Sequence, residues 1–245
     1  MGKRLALSIG IILVIQGIVL GVASVGAAVP APAEHASLSD AQIDQRIQFL
    51  EQRLDDSRTH GQIWFWSWMT VNAGSVVGNG TAAAMSGQHD DRVNHWTGAA
   101  LGAIGVADQL LRPLEARYGA APVRGLPETT REQKLAKLRA AEDQLRRNAE
   151  RAEQRTQVVP YLGNAGLALA AGLVVGLWGE VGAGIKTGIS TVVGGALNLW
   201  TEPGRPAQDW NDYLAMTGRR IAGVEVDVVM TAYEDGGKLN LRLRW

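Results

Sequence analysis

A chain of 245 residues can bury a core in one or two domains, and its 24 Lys and Arg against 24 Asp and Glu leave neither a basic excess for nucleic acid nor an acidic solvating tail. The absence of Cys excludes disulfides, thiol nucleophiles, Cys metal sites and a lipid-modified Cys after a leader. Thirty glycines follow no collagen period. Gly costs about 1 kcal/mol relative to Ala in a soluble helix, so glycines in helix-length apolar stretches need a packing reason.

Lys3 and Arg4 precede residues 5–28, a run of 24 uncharged, mostly apolar residues, and Gly26-Ala27-Ala28 or Ala31-Pro32-Ala33 offers a small-residue cleavage site. These are the parts of a secretory signal peptide. The run is also long enough to cross a bilayer, so residues 1–28 read as a cleaved signal or a retained anchor. Either keeps Lys3 and Arg4 in the cytoplasm and starts the rest outside. The expected location is the cell envelope, on the periplasmic side in a bacterium, or the medium.

Residues 29–37 read as a linker. Ser39 with Gln42 makes a capping box, and Leu38 with Ile43 falls at the hydrophobic-staple positions. Ile43, Ile47, Leu50 and Leu54 then form one apolar stripe on a charged helix. From Gly61 the character changes: residues 61–88 hold no Asp, Glu, Lys or Arg, opening with Trp64, Phe65, Trp66 and Trp68 before turning small. Residues 89–95 (HDDRVNH) read as a polar turn. A second apolar stretch, 96–111, contains Asp108 as its one charge, and Pro113 follows it.

Residues 119–127 read as a linker, after which Thr129 with Glu132 or Thr130 with Gln133 caps a half-charged helix. Glu142/Arg146 and Asp143/Arg147 have the favourable i,i+4 order. Residues 156–179 are uncharged, 180–186 read as a turn, 187–201 are uncharged again, and Pro203 closes the segment.

This order repeats: capped charged helix, apolar helix, polar turn, apolar helix, proline. Asn72, Ala73, Gly74, Gly80 and Gly87 match Asn164, Ala165, Gly166, Gly172 and Gly179 at an offset of 92. Thr97, Gly98, Gly105 and Pro113 match Thr187, Gly188, Gly195 and Pro203 at an offset of 90. The predicted units are residues 38–127 and 128–205. Each apolar segment holds one Gly-x-x-x-Gly: Gly74/Gly78, Gly98/Gly102, Gly172/Gly176 and Gly184/Gly188. That spacing puts both glycines on one helix face, where backbones approach closely as in membrane helix pairs.

Residues 206–245 read as an amphipathic helix with Trp210, Tyr213 and Leu214, then two runs of period two around Asp235-Gly236. A two-residue turn there pairs Val226 with Trp245, Val228 with Leu243 and Met230 with Leu241. The terminal aromatic and the alternation resemble the last strand of an outer-membrane barrel. A barrel needs many such strands, and two are visible.

The best candidate for chemistry is His89, Asp90, Asp91 and His95, all metal-ligand types. An upstream His60 extends the patch toward the His, His-Asp and Asp pattern of HD-type phosphohydrolases. The spacing is loose and no final Asp stands out, so a solvated turn is the expected role, with no metal and no cofactor. Asp108 and Lys186 read as segment-end charges, and the Trp cluster as packing. No Gly-x-x-x-x-Gly-Lys or Gly-x-Ser-x-Gly occurs.

The expected fold is mainly α: two repeated helical hairpins of Gly/Ala-rich apolar helices, each preceded by a charged amphipathic helix, with a small C-terminal β-hairpin. The expected function is that of an exported, membrane-associated envelope protein with a structural or interaction role. Its expected partners are membrane lipid, and further copies of itself or an envelope protein. The alternatives are a membrane-inserting pore-former or effector, and a soluble helical-bundle enzyme or small-ligand binder.

Overall fold

The computed structural model describes His35, residues 38–217, and the backbone of residues 225–231 and 238–244. The leader, most of the first linker, and Asp235 and Gly236 lie outside the described residues. The described chain is mainly helical.

A charged helical head is built from α1 (Asp40–Asp56), the short α4 (Ala121–Arg124), α5 (Arg131–Gln154) and α8 (Arg205–Met216). The capping box at Ser39 forms as read, and Thr130 with Gln133 makes the second one. Ile43, Ile47, Leu50 and Leu54 of α1 bury against Leu138, Ala141 and Leu145 of α5 and Tyr213 of α8. Each fully buried aliphatic side chain contributes about 1.5–3 kcal/mol, so this small core carries most of the head's stability. Ion pairs flank it: Lys134 to Asp44 at 2.8 Å, Lys137 to Glu51 at 3.0 Å, and Arg53 to Asp209 at 3.0 Å.

Two expectations fail here. Residues 119–127 are no free linker, because Ala120 and Val123 are buried in the head core. Glu142 does not pair with Arg146 on the helix surface. It turns inward to accept a hydrogen bond from Tyr213 Oη and to meet His35 Nε2 at 3.0 Å, while Arg146 pairs with Asp143 and Glu150.

Two helical hairpins leave the head. In the first, α2 (Arg58–Met85) turns through residues 86–88 into α3 (His89–Leu111), and a 3-10 turn (Glu115–Tyr118) leads back to the head. In the second, α6 (Val158–Trp178) turns through residues 179–180 into α7 (Val181–Thr201). Residues 89–95 are therefore no turn but the opening of α3, with Asp90 and Asp91 in its first turn, where acidic groups favour the helix N-terminus. Residues 181–186 are likewise helical. A helix start and a polar turn share the same residue types, which is why composition misplaced both boundaries.

The backbone of β1 (Glu225–Thr231) runs antiparallel to β2 (Lys238–Arg244), with Val226 opposite Leu243 and Val228 opposite Leu241. This is two residues out of the register that an Asp235-Gly236 turn implies. A shift of two keeps every residue on its face, so alternation does not separate the two registers.

Candidate functional site

The glycines show how each hairpin closes. A β-carbon placed on Gly184 would lie 2.5 Å from the Gly172 carbonyl oxygen and 2.6 Å from the Gly176 nitrogen. One on Gly172 would lie 2.9 Å from the Gly184 carbonyl oxygen, and one on Gly188 3.4 Å from that of Ala168. The backbones of α6 and α7 thus meet directly. In the first hairpin, a β-carbon on Gly102 would lie 2.7 Å from the Asn72 carbonyl oxygen, and one on Gly98 2.9 Å from the Asn79 side chain.

Gly74 and Gly78 are the exception: a β-carbon on either would meet nothing within 4 Å, so the tight contact expected of them is absent. The seam face of α2 is formed by Asn72, Ser75, Val76 and Asn79, spaced three, one and three residues apart. Gly74 lies two residues past Asn72, about 200° around the helix, and so faces away.

Asparagine does what those glycines were expected to do. The Asn72 side chain fills the space a β-carbon on Gly105 would need, and the Asn164 side chain does the same at Gly195. Asn164 Nδ2 also donates to the Val192 carbonyl at 3.0 Å. Ser75 Oγ donates to the Gly98 carbonyl at 3.1 Å, and Asn79 Nδ2 to the Ser75 carbonyl at 3.0 Å. These amide knobs carried no motif signal, though their match at an offset of 92 was visible.

The hairpins also join one another. Thr187 Oγ1 donates to Asn94 Oδ1 at 2.9 Å, and Gly179 abuts the backbone of Asp90, bringing the two tips together. At the head end, Trp64 Nε1 donates to the Asn198 carbonyl and Trp68 Nε1 to Thr201 Oγ1, both at 3.1 Å.

Of the metal-ligand candidates, His95 Nδ1 pairs with Asn79 Oδ1 at 3.3 Å, while His89, Asp90 and Asp91 are exposed at the tip. His60 sits at the other end of α2, paired with the Thr201 carbonyl. Among the described residues, no three His, Asp or Glu side chains converge to hold a metal. Asp108 pairs with Arg112 one turn on, and Lys186 is exposed on α7.

The outer surface of the second hairpin is largely apolar, Lys186 and Ser190 aside. On α7, Val181, Ile185, Ile189, Val193 and Leu197 form one exposed stripe, and on α6 Leu162, Leu169, Leu173 and Leu177 are exposed. The buried residues are smaller: Gly184 on α7, and Ala168, Ala170, Ala171, Val174 and Val175 on α6. A water-soluble bundle has the opposite arrangement, with bulky apolar groups inside. Exposed aromatics stand near both ends, Trp66 (64%), Trp200 (75%) and Tyr161 toward the head and Trp96 toward the tips. Tyr161 and Trp178 bracket about 26 Å of α6 at the helical rise. Among the described residues, α6 is the one helix long and apolar enough to cross a membrane by composition alone. No family model, characterised protein or solved structure matches this chain.

Proposed function

We propose that this chain is an exported cell-envelope protein whose paired hairpins sit in a bilayer while the charged head stays at its surface, in a structural or interaction role. The observation that carries this reading is the inverted packing of α6 and α7, with Gly, Ala and two Val inside and Leu and Ile side chains outside. Lipid tails are as apolar as leucine, so membrane helices associate through small residues and polar knobs rather than through bulky apolar faces. The hairpin lengths agree. At 1.5 Å per residue, α3, α6 and α7 run about 30–35 Å against a hydrocarbon core of about 30 Å. The exposed aromatics suit its two interfaces.

The hairpins also read as products of one duplication. Asn72 seated at Gly105 and Asn164 seated at Gly195 are the same contact at matching positions, which supports the repeat independently of glycine content. The C-terminal strands form a docking hairpin for the head or for a partner in this reading, since an isolated two-stranded hairpin is marginal in water. Alkaline carbonate extraction of membranes, combined with protease accessibility of the head and of the tips, tests the proposal. The expected result is an integral protein with the head cleavable from outside and the tips protected. Release into the soluble fraction would overturn it.

A further inference from the structure

A cavity of about 260 Å³ opens where the hairpins join the head, lined by Arg112, Pro113, Glu115, Arg147, Asn148 and Arg151. Its position follows from the chain: Leu110 and Leu111 at the end of α3 are exposed apolar residues, and Arg112 comes directly after them. In a bilayer-seated chain, this is the level at which hydrocarbon gives way to headgroups.

Three guanidinium groups line the cavity beside one carboxylate. Each guanidinium also has an acidic partner: Arg112 with Asp108, Arg147 with Asp143 and Glu115, and Arg151 with Glu202. The surroundings are thus nearly neutral and give no net field to a purely anionic ligand. Arg112–Asp108 and Arg147–Asp143 are surface pairs one helical turn apart, contributing about 0.3–0.5 kcal/mol each, and Arg147–Glu115 is also solvent-exposed, so a phosphate can compete for those guanidinium groups. Asn148 is 5% exposed, and its Nδ2 donor has no partner. A buried donor without an acceptor is costly, and it lies in the wall of the cavity.

We propose that this cavity binds the headgroup of a zwitterionic phospholipid carrying a primary ammonium, a phosphoethanolamine. This rests on the bilayer reading above. The phosphate takes Arg112, Arg147 and the free Asn148 amide, and the ammonium takes Glu115, which Arg147 then releases, while Arg151 stays on Glu202 and the Arg112 and Pro113 carbonyls. A primary ammonium donates hydrogen bonds to a carboxylate, whereas a choline has no N–H to donate. Pairing of both charges fits a nearly neutral lining better than a net anion does.

The test is the melting temperature of the full chain in a neutral detergent, with phosphatidylethanolamine, phosphatidylglycerol, phosphatidylcholine or inorganic phosphate added. Phosphatidylethanolamine is expected to raise it by several degrees more than the other three. Arg112→Gln should abolish that increment. Glu115→Gln should move the preference to phosphatidylglycerol, and Arg139→Gln, an equal charge loss at an exposed position of α5, should change nothing. Equal response to all lipids, a wild-type preference for phosphatidylglycerol, or an equal effect of inorganic phosphate would overturn the proposal. Flotation with pure phosphatidylcholine vesicles reads the bilayer proposal separately. A chain that floats but shows no ethanolamine preference refutes only the headgroup site, and one that does not float refutes both.

Discussion

The side chain of Asn164 on α6 occupies the space a β-carbon on Gly195 of α7 would fill, and Asn72 stands in the same relation to Gly105 in the first hairpin. Each pair locks the register of its hairpin, because the amide has a place on the neighbour only where the β-carbon is missing. Gly195→Ala is therefore expected to expel Asn164 and cost about 1–3 kcal/mol, the usual range for overpacking. Gly194→Ala, with nothing within 4 Å of the added carbon, should be neutral or slightly stabilising. Denaturant titration of the two variants in detergent, followed by far-UV circular dichroism, separates them; equal midpoints would refute the lock.

The close backbone approach of α6 and α7 makes a sharper contrast. Gly172→Leu should disrupt the second hairpin far more than Leu173→Ala, since the first drives a side chain into the Gly184 backbone while Leu173 is 59% exposed. Gly74→Ala and Gly78→Ala should leave stability unchanged or raised by up to about 1 kcal/mol, as Ala is the better helix former. A loss at Gly74 or Gly78 comparable with that at Gly172 would mean that this α2 face is covered in the native assembly.

The outward stripe is tested by charge. Ile189→Arg or Leu173→Arg places a guanidinium where lipid contact is proposed, at about 2.5–3.5 kcal/mol near a membrane-helix centre. Membrane integration should fall sharply. The same substitutions at the surface of a soluble bundle would alter stability by no more than about 0.5 kcal/mol. Normal carbonate resistance of both variants would count against the bilayer reading.

The head has a pH-dependent element. Burial pushes the Asp55 carboxyl up, but the Ala120 N–H at 2.9 Å and the Arg124 guanidinium outweigh this and hold it below its usual value. A depressed carboxylate contributes stability that is present above its unfolded value, about 3.9, and is lost as the pH falls through the folded value. Asp55→Asn should therefore cost about 1 kcal/mol at neutral pH, one hydrogen bond to a partly screened charge, and flatten the acid limb of the stability profile. Gly119 positions the Ala120 N–H at φ +57°, and a β-carbon there would lie 2.6 Å from Asp55 Oδ1. Gly119→Ala should cost about 1–3 kcal/mol through backbone strain alone. Thermal melts across the acid range, read on both variants, check these signs.

Export is expected to depend on the leader. Replacing Lys3 and Arg4 with acidic residues, or residues 11–14 with polar ones, should leave the chain in the cytoplasm. If the leader is cleaved, N-terminal sequencing of the mature protein should begin at Val29 or Glu34. Unchanged recovery of the variants outside the cytoplasm would exclude the leader as the export signal.

The sequence by itself determined the helical class, both capping boxes, the core stripe of α1 and the alternation of charged with apolar helices. Those features are local, set by residues three or four apart on one helix. Only the tertiary structure decided which side of each helix meets its neighbour. Gly-x-x-x-Gly spacing is equally present at Gly74/Gly78 and Gly172/Gly176, yet one pair meets open space and the other meets a backbone. The difference lies in Asn72, which packs into the space at Gly105, and in Ser75 and Asn79, which hydrogen-bond to the Gly98 carbonyl and to His95 on α3; together they choose the face of α2. Glu142 was likewise legible as a surface charge and became a buried acceptor, because Tyr213, 71 residues on, brings a hydroxyl to it. A spacing states which residues share a face; what that face touches depends on partners too distant in the chain for any local pattern to encode.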